Sequence, residues 1–191
     1  MFRSAALHAG GGPYRGNRLR IRCADMARVF FIAPALLHAA CAGAGELKPW
    51  GGGRTPALVL KDLQGATHDL AHYRGKVVLV NFWATWCEPC RDEMPSMQAL
   101  KRKLAGRPFE VLAVNFAESE SKVNEFLRRF PLDFTIVLDR NSTARRDWNV
   151  KVLPTSFVIG PDGSIRYSVI GDLDWAAEVV AKDLVRLVPA N

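Results

Sequence analysis

The segment NFWATWCEPC, residues 81–90, places Cys87 and Cys90 three apart around a proline, at the end of an apolar run. Two thiols at that spacing can close and reopen a disulfide, so the chemistry on offer is thiol–disulfide exchange. If a strand ends at the first cysteine and a helix begins there, its sulfur faces the unpaired N–H groups at the positive end of the helix dipole. Thiolate is stabilised in that position. Thiol pKa values in such motifs fall from about 8.5 to as low as ~3.5, at the extreme roughly 7 kcal/mol of preference for the anion. Cys87 is expected to be the exposed nucleophile and Cys90, one turn in, the buried resolving thiol. Pro89 fits the first helical turn, where its missing N–H costs no hydrogen bond. Trp86 is expected to shield the pair and offer a partner an apolar platform, whereas Phe82 and Trp83 are expected in the core.

The elements that must hold this pair are legible on either side of it. VVLVNFWA, 77–84, is almost continuously apolar and suits a strand buried on both faces. After Glu88, the residues Met94, Met97, Leu100 and Leu104 recur at helical spacing until AGRP, 105–108, predicting a helix of about sixteen residues. Strands are predicted at 57–60, 110–116, 134–138, 155–160 and 164–170, the last two joined by the turn PDG into a hairpin. Helices are predicted at about 121–130, with Val123, Phe126, Leu127 and Phe130 as its apolar stripe, and across STARRDW. A last helix from the N-cap Asp174 has Ala176, Val179, Val180, Leu184 and Leu187 as its core face. Residues 64–76 read as a loop carrying a solvated histidine pair, His68 and His72. The order βαβαβ then ββα predicts an α/β fold, a mixed central sheet with helices on both faces.

Charge is unevenly distributed over the 191 residues. The formal net charge is +7, yet residues 1–50 hold seven Arg/Lys against two Asp/Glu, and residues 51–191 hold nineteen against seventeen. The body is therefore only about +2, which argues against a nucleic-acid surface. Arg15, Arg18, Arg20, Arg22 and Arg28 precede VFFIAPALLHAACAGA, the pattern of an export signal. Its apolar core of about twelve residues is short of the roughly 20 that span a bilayer. Residues 1–45 are accordingly expected to be a leader, cleaved near 42–45, with an alternative translation start at Met26. Retention as an anchor, or lipidation of Cys41, are the competing readings; His38 stands where lipoprotein signals prefer an aliphatic residue. Residues 46–55, with three consecutive glycines, read as a linker, and 56–191 as one domain.

With Cys23 and Cys41 in the leader, the exported chain keeps Cys87 and Cys90 alone. A zinc ribbon would need a second pair of ligands, and a Cys–His hydrolase would have to take its base from the loop holding His68 and His72. No metal and no cofactor is expected.

The segment FWATWCEPCRDEMP resembles the active site of the thioredoxin superfamily, in particular its exported TlpA/ResA/DsbE group. Pro95, five after the second cysteine, and VLPTSFVI, 152–159, match that superfamily, which implies a thioredoxin-like fold over about 55–188 and a cis peptide at Pro154. Where cytosolic thioredoxins carry a buried aspartate this chain has Asn81. In the ResA-like pattern Glu93 takes its place, which implies that Glu93 tunes the thiols and relays the proton of the buried cysteine; a solvated helix-face carboxylate is the alternative. Glu88, between the cysteines, is expected to disfavour the thiolate by like-charge repulsion and so favour a reductant. Pro154 is expected against the sulfurs, with Thr155 as the neighbour whose backbone pairs with a client strand.

The resemblance implies an exported thiol-disulfide oxidoreductase of the periplasm or cell envelope. The expected activity is a disulfide reductase supplied by a membrane thiol-electron donor and acting on client cysteine pairs in cytochrome c maturation or oxidase copper-site assembly. The alternatives are a disulfide-donating oxidase, a Cu(I) carrier using the same pair, and a redox-inactive binding module.

Overall fold

Alternation along one strand sets the layers. The structure, a computed structural model, describes residues 45–190; the expectations for residues 1–44 lie outside it. In β4 (Val77–Trp83) every residue is buried. Val77, Leu79 and Trp83 join one core cluster while Val78, Val80 and Phe82 join another, so successive side chains serve opposite faces. The strand sits deep in an eight-stranded mixed sheet whose other members are β1 (Lys48–Pro49), β2 (Val59–Asp62), β3 (Thr67–Asp69), β5 (Phe109–Phe116), β6 (Thr135–Asp139), β7 (Thr155–Ile159) and β8 (Ile165–Ile170). Their order is β1-β8-β7-β4-β5-β6-β2-β3. β4, β5 and β6 run parallel, and β7 returns antiparallel beside β4 with Asn81 opposite Ser156 and Phe82 opposite Thr155.

Among the described residues four α-helices flank the sheet: α1 (Glu88–Lys103), α2 (Glu120–Arg129), α3 (Thr143–Asp147) and α4 (Glu178–Leu187). Met94, Met97 and Leu100 of α1, Val123 and Phe126 of α2, and Val180, Ala181 and Leu184 of α4 pack on the Leu79 face. Ala144 of α3 packs on the other, where Trp148 and Phe157 meet edge to face with centroids 5.1 Å apart. The α/β class with helices on both faces is therefore observed. Pro95 lies inside α1 without ending it. Among the described residues no helix is long and apolar enough to cross a membrane.

Several local expectations are corrected. Of residues 46–55, Lys48 and Pro49 pair with Ser168 and Tyr167 of β8, Trp50 N donates to the Arg166 carbonyl at 2.8 Å, and the Trp50 ring meets Phe157 at 5.8 Å. What read as a glycine-rich linker thus closes the open edge of β8. The stretch 64–76 is not a plain loop: it holds β3 and a 3₁₀ turn, Leu70–Tyr73. His68 is half-buried there, its ring nitrogens against Asp62 Oδ2 at 2.8 Å and the Tyr73 hydroxyl at 2.7 Å, and only His72 is a solvated side chain. Asp174 caps a turn by accepting from Ala176 N, and α4 begins four residues later with Ala177 as its N-cap. Ala176 and Val179 consequently face solvent instead of the core, and Phe130, just past α2, is also exposed.

Asp139, at the end of β6, is fully buried and accepts from Ala144 N at 3.1 Å and Arg145 N at 2.8 Å, satisfying first-turn donors of α3 that the N-cap Ser142 leaves unbonded. Replacing Asp139 with Ala is expected to lower stability by about 1–3 kcal/mol, read as a lower urea midpoint; an unchanged midpoint would show that water satisfies α3 equally well.

Candidate active site

The parallel strands β4 and β5 end side by side, with Trp83 opposite Asn115, and the redox pair lies just beyond that end. The chain leaves β4 through Ala84, Thr85 and Trp86 and enters α1 at Glu88. Cys87 is the N-cap of α1, and its Sγ accepts from Cys90 N at 3.3 Å. The two cysteines form a disulfide with an S–S distance of 2.03 Å. Cys90 is fully buried, as expected; Cys87 is only 5 % exposed, so the expectation of an exposed nucleophile is corrected for the oxidised form. Trp86, the residue before it, is 59 % exposed. Glu88 and Pro89 occupy the solvent-facing first turn of α1.

Glu93 lies on α1 one turn beyond Cys90, a spacing that puts both side chains on the same helix face. It is 3 % exposed, which overturns the reading as a solvated carboxylate. Its Oε1 accepts from Asn81 Nδ2 at 2.6 Å, and its Oε2 from Trp175 Nε1 at 3.0 Å and Leu173 N at 3.2 Å. Asn81 also donates to Ser156 Oγ at 2.8 Å across the β4–β7 pair. Burial pushes the carboxyl up from 4.5 to about 7; the donors Trp175, Asn81 and Leu173 pull it back, and the charge of Asp172 adds to the rise. A carboxyl with that value changes protonation near neutral pH, here one helical turn from the buried Cys90.

The Leu153–Pro154 peptide is cis, as the resemblance implied, and Pro154 is buried. The Pro154 carbonyl accepts from Gly171 N at 3.0 Å. Thr155 lies between Phe82 of β4 and Ile170 of β8, and its hydroxyl donates to the Val152 carbonyl at 2.8 Å. A residue flanked by strands on both sides has no open edge for a client strand, so the role expected of Thr155 is corrected. It is the partly exposed stretch Val152–Leu153, before the cis bond, that has no flanking strand.

Two residues of the site were not singled out in the sequence. After β5 the chain turns at Ala117, with φ 52°, and delivers Glu118 to the back of the redox loop. Its buried carboxylate accepts from Thr85 N at 2.6 Å, Thr85 Oγ1 at 2.7 Å and Asn115 Nδ2 at 2.9 Å, and pairs with Lys122 at 2.9 Å. Burial alone would raise this carboxyl, but the donated hydrogen bonds prevail and hold it below the ordinary range. Glu118 therefore anchors the loop that presents Cys87. The signal for it was a carboxylate just past the end of the parallel neighbour strand, beside the motif. Trp175, fully buried, gave no local signal, because its partner lies 82 residues away.

The sequence profile of the AhpC/TSA family matches residues 52–168. The chain belongs to that family. The thiol-disulfide oxidoreductase ResA of Geobacillus kaustophilus is 43% identical over 122 residues, covering 64% of this chain and 70% of that protein. ResA of Bacillus subtilis is 34% identical over 137 residues, covering 72% and 75%. A solved Chlorobium tepidum structure assigned to the thiol:disulfide interchange protein DsbE superposes with a TM-score of 0.66 at 30% identity, covering 74% of this chain and 99% of that one. This ResA-like protein is a thiol-disulfide oxidoreductase of thioredoxin-like fold, and its Cys87–Cys90 disulfide is the group that such chemistry requires.

Because the folded-state value of Glu93 lies above its unfolded value, the native state binds the extra proton. Its contribution to stability is complete below pH 4.5 and disappears as the pH rises through about 7. The interval corresponds to about 3 kcal/mol. Urea unfolding of the oxidised protein at pH 5 and pH 8 is expected to show this decline, and Glu93→Gln is expected to flatten it. Equal pH dependence in the two proteins would mean that Glu93 is ionised throughout.

Proposed function

We propose that the protein is an exported disulfide reductase in which Cys87 attacks, Cys90 resolves and Glu93 handles the resolving proton. The Cys87 thiolate attacks one sulfur of a client disulfide, and the client's other sulfur leaves as thiolate. Cys90 then gives its proton to ionised Glu93 and attacks Cys87 Sγ, releasing the client's second thiolate. The client disulfide gains two electrons and the Cys87–Cys90 pair loses them. A membrane thiol donor returns them to the protein, and Glu93 passes its proton to the departing thiolate or to water. The clients proposed are cysteine pairs of the kind handled in cytochrome c maturation or oxidase copper-site assembly, in the periplasm or cell envelope.

The observation that carries this reading is the burial of Glu93 among three donors, on the same face of α1 as the buried sulfur. A carboxyl with a value of about 7 accepts a proton from a resolving thiol and gives it up again at neutral pH, which a carboxylate near 4.5 does poorly. The leader-like sequence supports export, and the relatives named ResA support the exchange chemistry.

The direction is tested by equilibrating the protein against dithiothreitol or glutathione and reading the Cys87/Cys90 reduction potential. A value near or below the ~−270 mV of thioredoxin is expected. A value near the ~−120 mV of DsbA would make the protein an oxidase.

A further inference from the structure

Beside the redox motif runs an open groove of about 300 Å³ between α1 and the end of α2. The α1 wall is formed by Arg91, Met94, Pro95, Gln98 and Arg102, and the opposite wall by Phe126, Arg129 and Phe130. Arg91 directly follows the resolving cysteine, and its Nη1 donates to the Thr85 carbonyl at 3.4 Å, so the groove begins at the redox loop. From residue 91 to residue 102 a helix rises about 16 Å, the reach of about five extended residues.

Its surface is two-sided in character. Phe126 and Phe130 stack at 5.0 Å, and Phe130 remains 55 % exposed, so part of the wall is an aromatic face in water. Three guanidinium groups border it, and no Asp or Glu is among the lining residues. Arg129 has a nearby counter-charge, Glu125 at 2.7 Å, but that pair is largely solvent-exposed and leaves the guanidinium free to exchange partners. The chain's own leader carries the wrong charge to occupy the groove, with six Arg and one acidic residue in positions 1–44.

We propose that this groove docks the client: it takes a segment of about five residues, apolar and acidic in alternation, adjoining the client's reacting cysteine. Apolar side chains lie against Phe126, Met94 and Phe130 while carboxylates meet Arg91, Arg102 and Arg129. The inference deepens the exchange function above and rests on a protein client.

Two peptides with the same intramolecular disulfide test it, one with a Leu-Glu-Phe-Glu-Leu tail and the other with Leu-Lys-Phe-Lys-Leu. Exchange with the reduced full chain is followed at low salt, each rate divided by that of the same protein on 2-hydroxyethyl disulfide. The acidic peptide is expected to react faster by on the order of tenfold, with the advantage shrinking at high salt. The double variant Arg102→Glu/Arg129→Glu is expected to prefer the basic peptide, and Arg102→Gln/Arg129→Gln to show little preference. Equal rates for the two peptides with the unsubstituted chain, or an acidic preference that survives both double variants, would overturn the proposal. The same peptides as dithiols, offered to the oxidised chain, separate docking from direction. An acidic preference found in both directions, with the dithiols oxidised faster than the disulfides are reduced, would refute the reductase reading and leave the groove in place.

Discussion

Everything distinctive about this site depends on one carboxylate kept out of water. A charged Glu93 in a dry interior is costly unless donors surround it, and the fold supplies three from two separate places: Asn81 of β4, and Leu173 and Trp175 in the segment before α4. The donors are sufficient to admit the anion and insufficient to make it the dominant form below neutrality, hence the value of about 7. Asn81 matters on the same grounds. An aspartate there would set a second carboxylate at 2.6 Å from Glu93, whereas the amide offers a donor and also binds Ser156.

The sheet brings these parts together. Parallel β4 and β5 end at the same level, which sets the redox loop beside Glu118, while antiparallel β7 begins at that level and brings in the cis Pro154. Cys87 is thereby held by the N-terminus of α1 and, through the preceding loop, by the Thr85 contacts with Glu118 and Arg91. A sulfur fixed in this way needs little reorganisation for disulfide exchange.

Much of this could be read in the chain because the signals are local. The run of buried residues in β4, the helical spacing from Met94 to Leu104, the PDG turn and the Cys-x-x-Cys pair each depend on neighbours within a few positions. Pro154 and Glu93 were legible through resemblance, since nothing in their own surroundings in sequence marks a cis bond or a buried acid. What was not legible depends on distant partners. Trp175 meets Glu93 across 82 positions, Lys48 and Pro49 find β8 more than a hundred residues on, and Thr155 is enclosed by strands on both sides. Cys87 was misjudged for the same reason, because the degree to which a sulfur is covered is set by packing around the loop and not by the motif.

The most direct test of this account is the protonation of Glu93 itself, followed by infrared difference spectroscopy or carboxyl carbon NMR of the oxidised protein across pH 3 to 9. The account predicts a side-chain carboxyl that remains protonated after the surface acids have ionised and titrates near pH 7, absent when Glu93 is replaced. A Glu93 signal that titrates near 4.5 would contradict it, leaving the buried carboxylate a permanent anion with no proton to relay.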